Sequence, residues 1–289
     1  MTLNVGVFGS DGSGRTTFTG LLYMAQVDFS NRTGQKSGFR FFAEPVQIKA
    51  MQGIYNQLRS REWPFLPAGV LKISCSYVYS SGGFLSKLFN RAEGNTVVID
   101  IYMVDICHLV GFMEKPIYKK AADNDVFVFL LDASDLPDGP VPADGAFCSF
   151  LSRIVEAKRD NSGDNSLDVV FVLTKFDMID KGVFTDMAIS PIHPLISECD
   201  KRSEYGEKFM ARMCPKTLAF LRDNARAKSL FRSAVYFFSC VNASFDEEGN
   251  VVPRMKRVKG SANFELDYTY EEYEGLIKNL AELASGRIS

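Results

Sequence analysis

Leu3-Asn4-Val5-Gly6-Val7-Phe8-Gly9-Ser10-Asp11-Gly12-Ser13-Gly14-Arg15-Thr16-Thr17 opens the chain as an apolar strand, a glycine-rich turn and the start of a helix. Gly9, Gly14 and Thr16 stand at the spacing of the phosphate-binding loop G-x-x-x-x-G-K-[ST], with Arg15 in place of the lysine. Such a loop works through its backbone. Glycines permit angles that a Cβ disfavours, so successive N–H groups can turn inward around phosphate oxygens. The helix that follows adds the positive end of its dipole. On this reading Gly9, Ser10, Asp11, Gly12, Ser13, Gly14, Arg15, Thr16 and Thr17 form a phosphate site, and the Thr16 hydroxyl is offered to Mg²⁺. Arg15 keeps the positive charge, but as a broad planar fork rather than a compact ammonium. The other reading is an ordinary Gly/Ser turn between a strand and a helix. Context favours the loop. Val5 and Val7 sit in a short apolar strand, and Phe18, Leu21, Leu22 and Ala25 recur at helical spacing.

The alternation continues along the chain. Apolar runs at 2–8, 70–79, 96–104, 126–132, 168–174 and 234–240 read as strands. Segments 15–28, 45–60, 144–159, 203–213, 215–229 and 269–285 read as helices. Val126 to Leu131 and Val169 to Leu173 are unbroken apolar runs, as in parallel strands buried on both faces. The expected fold class is α/β: a doubly wound, mostly parallel sheet of about six strands with helices on both faces. The 289 residues are expected to form one domain with additions near 29–69, 178–202 and 244–267. No helix separates the second and third strands. A long hairpin loop from Gly82 to Asn95 is expected to make them an antiparallel pair at one edge. Thr269 and Glu272 read as a capping box for the last helix, and Pro215 opens a fresh helix.

Strand 168–174 runs into Thr174-Lys175-Phe176-Asp177. Ligands of open α/β sheets bind at the carboxyl ends of strands. There the Asp177 carboxylate can accept from both the N1–H and the exocyclic amine of guanine, and the Lys175 stem can cover the base. An isolated [ST]-K-x-D is a weak signal. At the end of a buried strand, behind a phosphate loop, it points to guanine. Strand 234–240 ends in Phe238-Ser239-Cys240-Val241, whose backbone is expected to close over the other edge of the base. A plain strand-to-loop junction fits that stretch equally well.

In motif order and strand pattern the chain resembles the translation-factor and Ras-like class of P-loop GTPases, as a larger and divergent member. The resemblance covers most of the chain. It rests on Gly9 to Thr16, on Thr174 to Asp177, and more loosely on Ser239-Cys240. The 45–60 helix and Trp63-Pro64 are somewhat like the larger prokaryotic and dynamin-related members. The resemblance implies GTP or GDP and Mg²⁺ as ligands, and a protein effector or regulator as partner. It also marks departures. The family's D-x-x-G motif is here Asp105-Ile106-Cys107-His108, with the Asp but no Gly. Asp105 is the implied second Mg²⁺ contact, through a water, with Asp100 ranked after it. Leu109 stands where many members place a water-orienting Gln. His108 beside it is a candidate for that task, or a structural histidine. Thr33 is a candidate switch threonine, and Arg32, Arg40, Arg59 and Arg61 are candidate arginine fingers.

Three functions compete. One is a Mg²⁺-dependent GTP/GDP switch with slow or partner-dependent hydrolysis. Another is a pseudo-GTPase scaffold or complex subunit with weak or no nucleotide binding, favoured by Arg15, the missing Gly and Leu109. A third, an ATP-using kinase or ATPase, is opposed by Thr174 to Asp177. Bulk composition narrows the partners. The chain is 46% hydrophobic and 24% charged with a net charge of −2, which gives no argument for nucleic acid or an anionic membrane. No apolar run approaches the ~20 residues of a membrane span. Six cysteines without a C-x-x-C, and two histidines, read as reduced thiols of a cytoplasmic protein rather than a metal cluster. The run Arg254, Lys256, Arg257 and Lys259 reads as a solvated loop or as a contact for an acidic or phosphate-bearing partner.

Overall fold

The computed structural model describes residues 2–34, 38–65, 72–79, 95–111, 116–159, 167–228, 231 and 234–286. Its centre is a sheet in the order β2-β3-β4-β1-β5-β6-β7. These strands are β1 (Thr2–Gly9), β2 (Phe39–Phe42), β3 (Lys72–Tyr79), β4 (Asn95–Asp105), β5 (Val126–Asp132), β6 (Asp168–Thr174) and β7 (Val235–Phe238). β1 lies parallel between β4 and β5, and β6 and β7 continue the parallel half. β3 runs antiparallel to β4, and β2 antiparallel to β3. The doubly wound, mostly parallel α/β architecture is as expected.

Period-2 alternation explains the two layers. Phe8, Phe127, Phe129 and Leu131 point into one core, shared with Phe147, Phe150 and Phe209. Val5, Val7, Val126, Val128 and Leu130 point into the other, shared with Phe18, Leu21, Tyr273 and Leu280. The first core is covered by helices Asp144–Arg159 (α5), Cys199–Met213 (α7) and Pro215–Lys228 (α8). The second is covered by Arg15–Thr33 (α1), Pro45–Arg59 (α2) and Tyr270–Ala284 (α9). Short helices α3 (Ile106–Gly111), α4 (Pro116–Ala122) and α6 (Lys181–Asp186) complete the set. Because both faces are covered, β5 is buried at every position.

The structure adds to or departs from the sequence reading at four points. The central sheet has seven strands, because Phe39–Phe42 pairs with Phe39↔Tyr79 register at the outer edge. Four residues carry too little periodicity to announce a strand. The β3/β4 pair is antiparallel but is therefore not the edge. The 178–202 and 244–267 segments carry structure of their own. The first holds α6 and the start of α7, and the second forms two hairpins, β8–β9 (Ala243–Phe245 with Val251–Pro253) and β10–β11 (Met255–Arg257 with Phe264–Leu266). Finally, no side-chain cap forms at Thr269. Its Oγ1 accepts from the Cys240 N–H at 3.1 Å, while Glu272 turns inward to Arg202. The loop expected between Gly82 and Asn95 lies mostly outside the described residues.

Candidate functional site

The carboxyl ends of β1, β4 and β6 open into one cleft of about 920 Å³. Asp11, Gly12, Gly14, Arg15, Thr16 and Thr17 line it from the 9–17 loop, Asp105 and His108 from the end of β4, and Thr174, Lys175 and Asp177 from the end of β6. Ser239, Cys240 and Val241 form part of the wall beyond β7. Gly9, Ser10 and Ser13 are not on that surface but shape it from behind. A Cβ on Gly9 would stand 2.2 Å from Ser13 Oγ, so any larger residue there would have to displace that side chain. Gly12 and Gly14 hold φ of 77° and 81°, the left-handed region that favours glycine. α1 then starts with the Phe18 N–H to Gly14 carbonyl bond at 2.8 Å.

Thr174 holds the loop against the sheet. Its Oγ1 lies 2.9 Å from the Ser13 carbonyl and 3.0 Å from that of Leu131. The hydroxyl has one proton to donate, so the two carbonyls share it. Lys175 follows in the left-handed region at φ 52°, and its Nζ pairs with the buried Asp132 carboxylate. Asp177 is exposed, and its carboxylate accepts the Ala243 N–H. Desolvation raises its pKa above the ordinary aspartate value, against the opposing pull of backbone N–H donors and Arg254.

At the end of the cleft formed by the 9–17 loop, Arg15 is 8% exposed and its Nη1 is buried without a hydrogen-bond partner. Burial lowers its pKa, and the Asp105 and Asp11 charges work the other way. Its Nη2 lies 3.8 Å from Asp11. The Asp105 oxygens accept the N–H groups of Asp11 at 2.8 Å and Cys107 at 2.6 Å. Burial pushes the Asp105 carboxyl up, but these bonds and the Arg15 charge outweigh it and hold the group below its ordinary value. Asp100 does not line the cleft: it pairs with Lys72 and Ser74 within the sheet, each at 2.6 Å.

The segment after Asp105 folds as α3. Its turn buries Leu109 to 1% exposure and leaves His108 exposed on the cleft. The water-orienting position of the sequence pattern is therefore turned into the core, and the imidazole stands at the cleft instead. Around Ser239-Cys240 the expected backbone donors are committed. The Ser239 N–H goes to Leu173 at 2.8 Å and the Cys240 N–H to Thr269. Ser239 Oγ is 2.5 Å from the Tyr273 hydroxyl, and burial pushes the Cys240 thiol up to about 12. Ser239, Cys240 and Val241 nonetheless line the cleft, as part of its wall.

Arg40, Arg59 and Arg61 do not line the cleft; Arg59 and Arg61 border a second cavity with Ser244, Phe245 and Arg254. Thr33 is the last residue of α1, and its side chain and that of Arg32 fall outside the description. In the basic run, Arg254 and Lys256 pair with Asp267, and Arg257 donates to the Ser261 carbonyl. Among the described residues no group of three His, Cys, Asp or Glu side chains could hold a metal alone, and no helix is long and apolar enough to cross a membrane. No local pattern announces the Arg202–Glu272 pair, buried beneath this wall with contacts of 2.6 and 3.1 Å. Glu272 also accepts the Phe238 N–H at 2.9 Å and so fixes the end of β7.

No family model matches the chain, and no curated protein matches it in sequence. Among solved structures it is similar to the GTPase-like domain of S. cerevisiae Ski7 bound to GTP, with a TM-score of 0.43 and 11% identity over 100% of this chain and 51% of that one. The same domain bound to GDP and inorganic phosphate gives 0.38 and 11% with the same coverage. The Chaetomium thermophilum signal recognition particle receptor SRb-GTP/SRX complex gives 0.37 and 14% over 86% of this chain and 95% of that one. The chain thus spans about half the length of the Ski7 chains.

Proposed function

We propose that the chain is a guanine-nucleotide-binding protein that hydrolyses GTP slowly or only with a partner's help. One observation carries this reading: the 11–17 loop, Asp105 and Thr174 to Asp177, far apart in sequence, line the same cleft at the carboxyl ends of the strands. The buried Arg15 Nη1 without a partner adds to it, since a buried cation short of an acceptor suits an anion. The loop N–H groups and Arg15 would hold the phosphates, and Asp177 would accept from the guanine edge. Lys175 covers the base with its stem while its ammonium stays on Asp132.

The residues at the phosphate end also fit Mg²⁺. Thr16 offers a hydroxyl, and the Asp105 carboxylate, which accepts the Asp11 and Cys107 N–H groups and the Cys107 thiol, keeps lone-pair capacity beyond these three bonds. Mg²⁺ typically takes one or two protein ligands and completes its shell with phosphate oxygens and water, where it would neutralise charge between the phosphates. Turnover needs a water in line with the terminal phosphate and charge stabilisation there. Leu109 supplies neither. His108 is exposed and lines the cleft, and on this reading it is the candidate to orient such a water. Analysis of nucleotide released from denatured purified protein, followed by single-turnover hydrolysis, tests the reading. Bound GDP or GTP with a rate near or below ~10⁻⁴ s⁻¹ is expected.

A second reading has its own support. Asp105 already accepts the Asp11 N–H, and Asp11 and Asp105 both face Arg15, so the loop's cation has anionic neighbours without a ligand. A scaffold that binds nucleotide weakly or not at all would look like this. Purified protein free of nucleotide, and without heat on GDP or GTP titration, would favour it.

A further inference from the structure

One side of the cleft is built by a segment that phosphate binding does not require. After α2 the chain passes through Arg61, Glu62, Trp63, Pro64 and Phe65. Trp63, Pro64 and Phe65 line the cleft with Met178 and Val251. Trp63 is 41% and Phe65 80% exposed. A lone exposed apolar residue is ordinary, but several on one cavity wall mark a surface meant to be covered.

The strap is held in place. Arg61 takes a left-handed φ of 65°, uncommon outside glycine. Its guanidinium donates to Ser244 Oγ at 3.4 Å and to the Phe245 carbonyl at 3.3 Å. The Trp63 indole N–H donates to the Val251 carbonyl at 2.8 Å. All three acceptors belong to the β8–β9 hairpin, in which Phe245 pairs with Val251. The same hairpin begins at Ala243, whose N–H reaches the Asp177 carboxylate. Two residues of strand, roughly 7 Å at ~3.4 Å each, separate that contact from the Phe245–Val251 pair. The hairpin therefore ties the Trp63 strap to the Asp177 end of the cleft, away from the phosphate loop.

We propose that Trp63 is the stacking platform for the ligand's base, with Phe65 extending it at the rim. The proposal rests on the reading of the cleft as a purine-nucleotide site. An indole face stacks on any base and so adds affinity without choosing among bases, whereas the hydrogen-bonding edge is left to Asp177. Trp63 should thus set the strength of binding and Asp177 its selectivity.

Trp63 is the chain's single tryptophan, so its emission reports on this position alone. The full chain is titrated with GDP and ADP by calorimetry and, in parallel, by tryptophan emission with acrylamide as quencher. Saturating GDP is expected to change the emission with the calorimetric Kd and to lower the acrylamide quenching constant at least about twofold. Trp63→Ala should weaken GDP and ADP by a similar factor of about tenfold, and Trp63→Phe by less than about threefold. Calorimetric binding with unchanged emission and quenching, and wild-type affinity in Trp63→Ala, would overturn the stacking role and leave the nucleotide reading standing. No heat with either nucleotide would remove both. The emission arm needs no substitution, so it decides the matter even if a variant folds poorly.

Discussion

On the proposed reading Arg15 holds the phosphates, Asp177 reads the base and His108 is the candidate for orienting water, and each role has an outcome of its own. Arg15 is buried with one nitrogen unpaired. Hydrogen bonds to charged groups contribute ~1.5–3 kcal/mol, so Arg15→Ala should weaken both GDP and GTP by about tenfold or more in a calorimetric titration, while Arg15→Lys retains binding. Unchanged affinity in Arg15→Ala would mean that the side chain serves only the loop's internal charge balance. Asp177→Asn should weaken GTP and improve xanthosine triphosphate, because the amide presents a donor where guanine needs an acceptor. The sign of the pH effect follows from the raised Asp177 pKa. Protonation removes the acceptor, so guanine affinity should fall on acidification at a pH above the ordinary aspartate range. Asp177→Asn should lose that dependence. For turnover, His108→Ala should leave a slow rate of order ~10⁻⁴ s⁻¹ or lower; a wild-type rate near ~1 s⁻¹ that vanishes in this variant would make His108 the principal catalytic group.

Among the elements, β6 meets the 9–17 loop through Thr174, whose hydroxyl reaches the Ser13 carbonyl. Thr174→Val removes the proton shared by the Ser13 and Leu131 carbonyls. A cost of ~1 kcal/mol in stability is expected from a denaturant melt, together with weaker nucleotide binding. Loss of stability without loss of binding would show that the loop holds its form unaided. The long elements were legible because their periodicity is strong: β5 and β6 match the reading from their apolar runs, and α1 buries Phe18, Leu21, Leu22 and Ala25 as its spacing predicts. Short or tertiary features were not. Phe39–Phe42 has too few residues to show alternation, and the hairpins of 243–266 lack long apolar runs. Glu272 fits a capping box in sequence, yet a buried arginine 70 residues away claims it. No local pattern encodes such a partner. Likewise, the motif letters placed Leu109 at the cleft, but the helical turn of α3 put it in the core and His108 outside.

At the scale of the molecule, the Arg202–Glu272 pair joins α7, β7 and α9 beneath the Ser239–Val241 wall. Both side chains are buried. Removing Arg202 leaves the Glu272 carboxylate with only His193 Nδ1, 3.5 Å away, and the Phe238 N–H, so Arg202→Met should cost ~3–5 kcal/mol of stability, and Arg202→Met with Glu272→Leu should cost less than that single change. Equal losses would mean that the Phe238 N–H, rather than the charge, is what Glu272 serves. The same wall, the phosphate loop and the Asp177 strand end face one cleft only because β1 stands between β4 and β5, where the chain crosses from one half of the sheet to the other. On the proposed reading this cleft takes a guanine nucleotide. Competitive calorimetric titration of the nucleotide-stripped full chain with GDP and ADP tests it most directly. GDP binding at least about tenfold tighter than ADP, with the preference lost in Asp177→Asn, is the predicted result; equal affinities, tighter ADP, or no binding of either would contradict it.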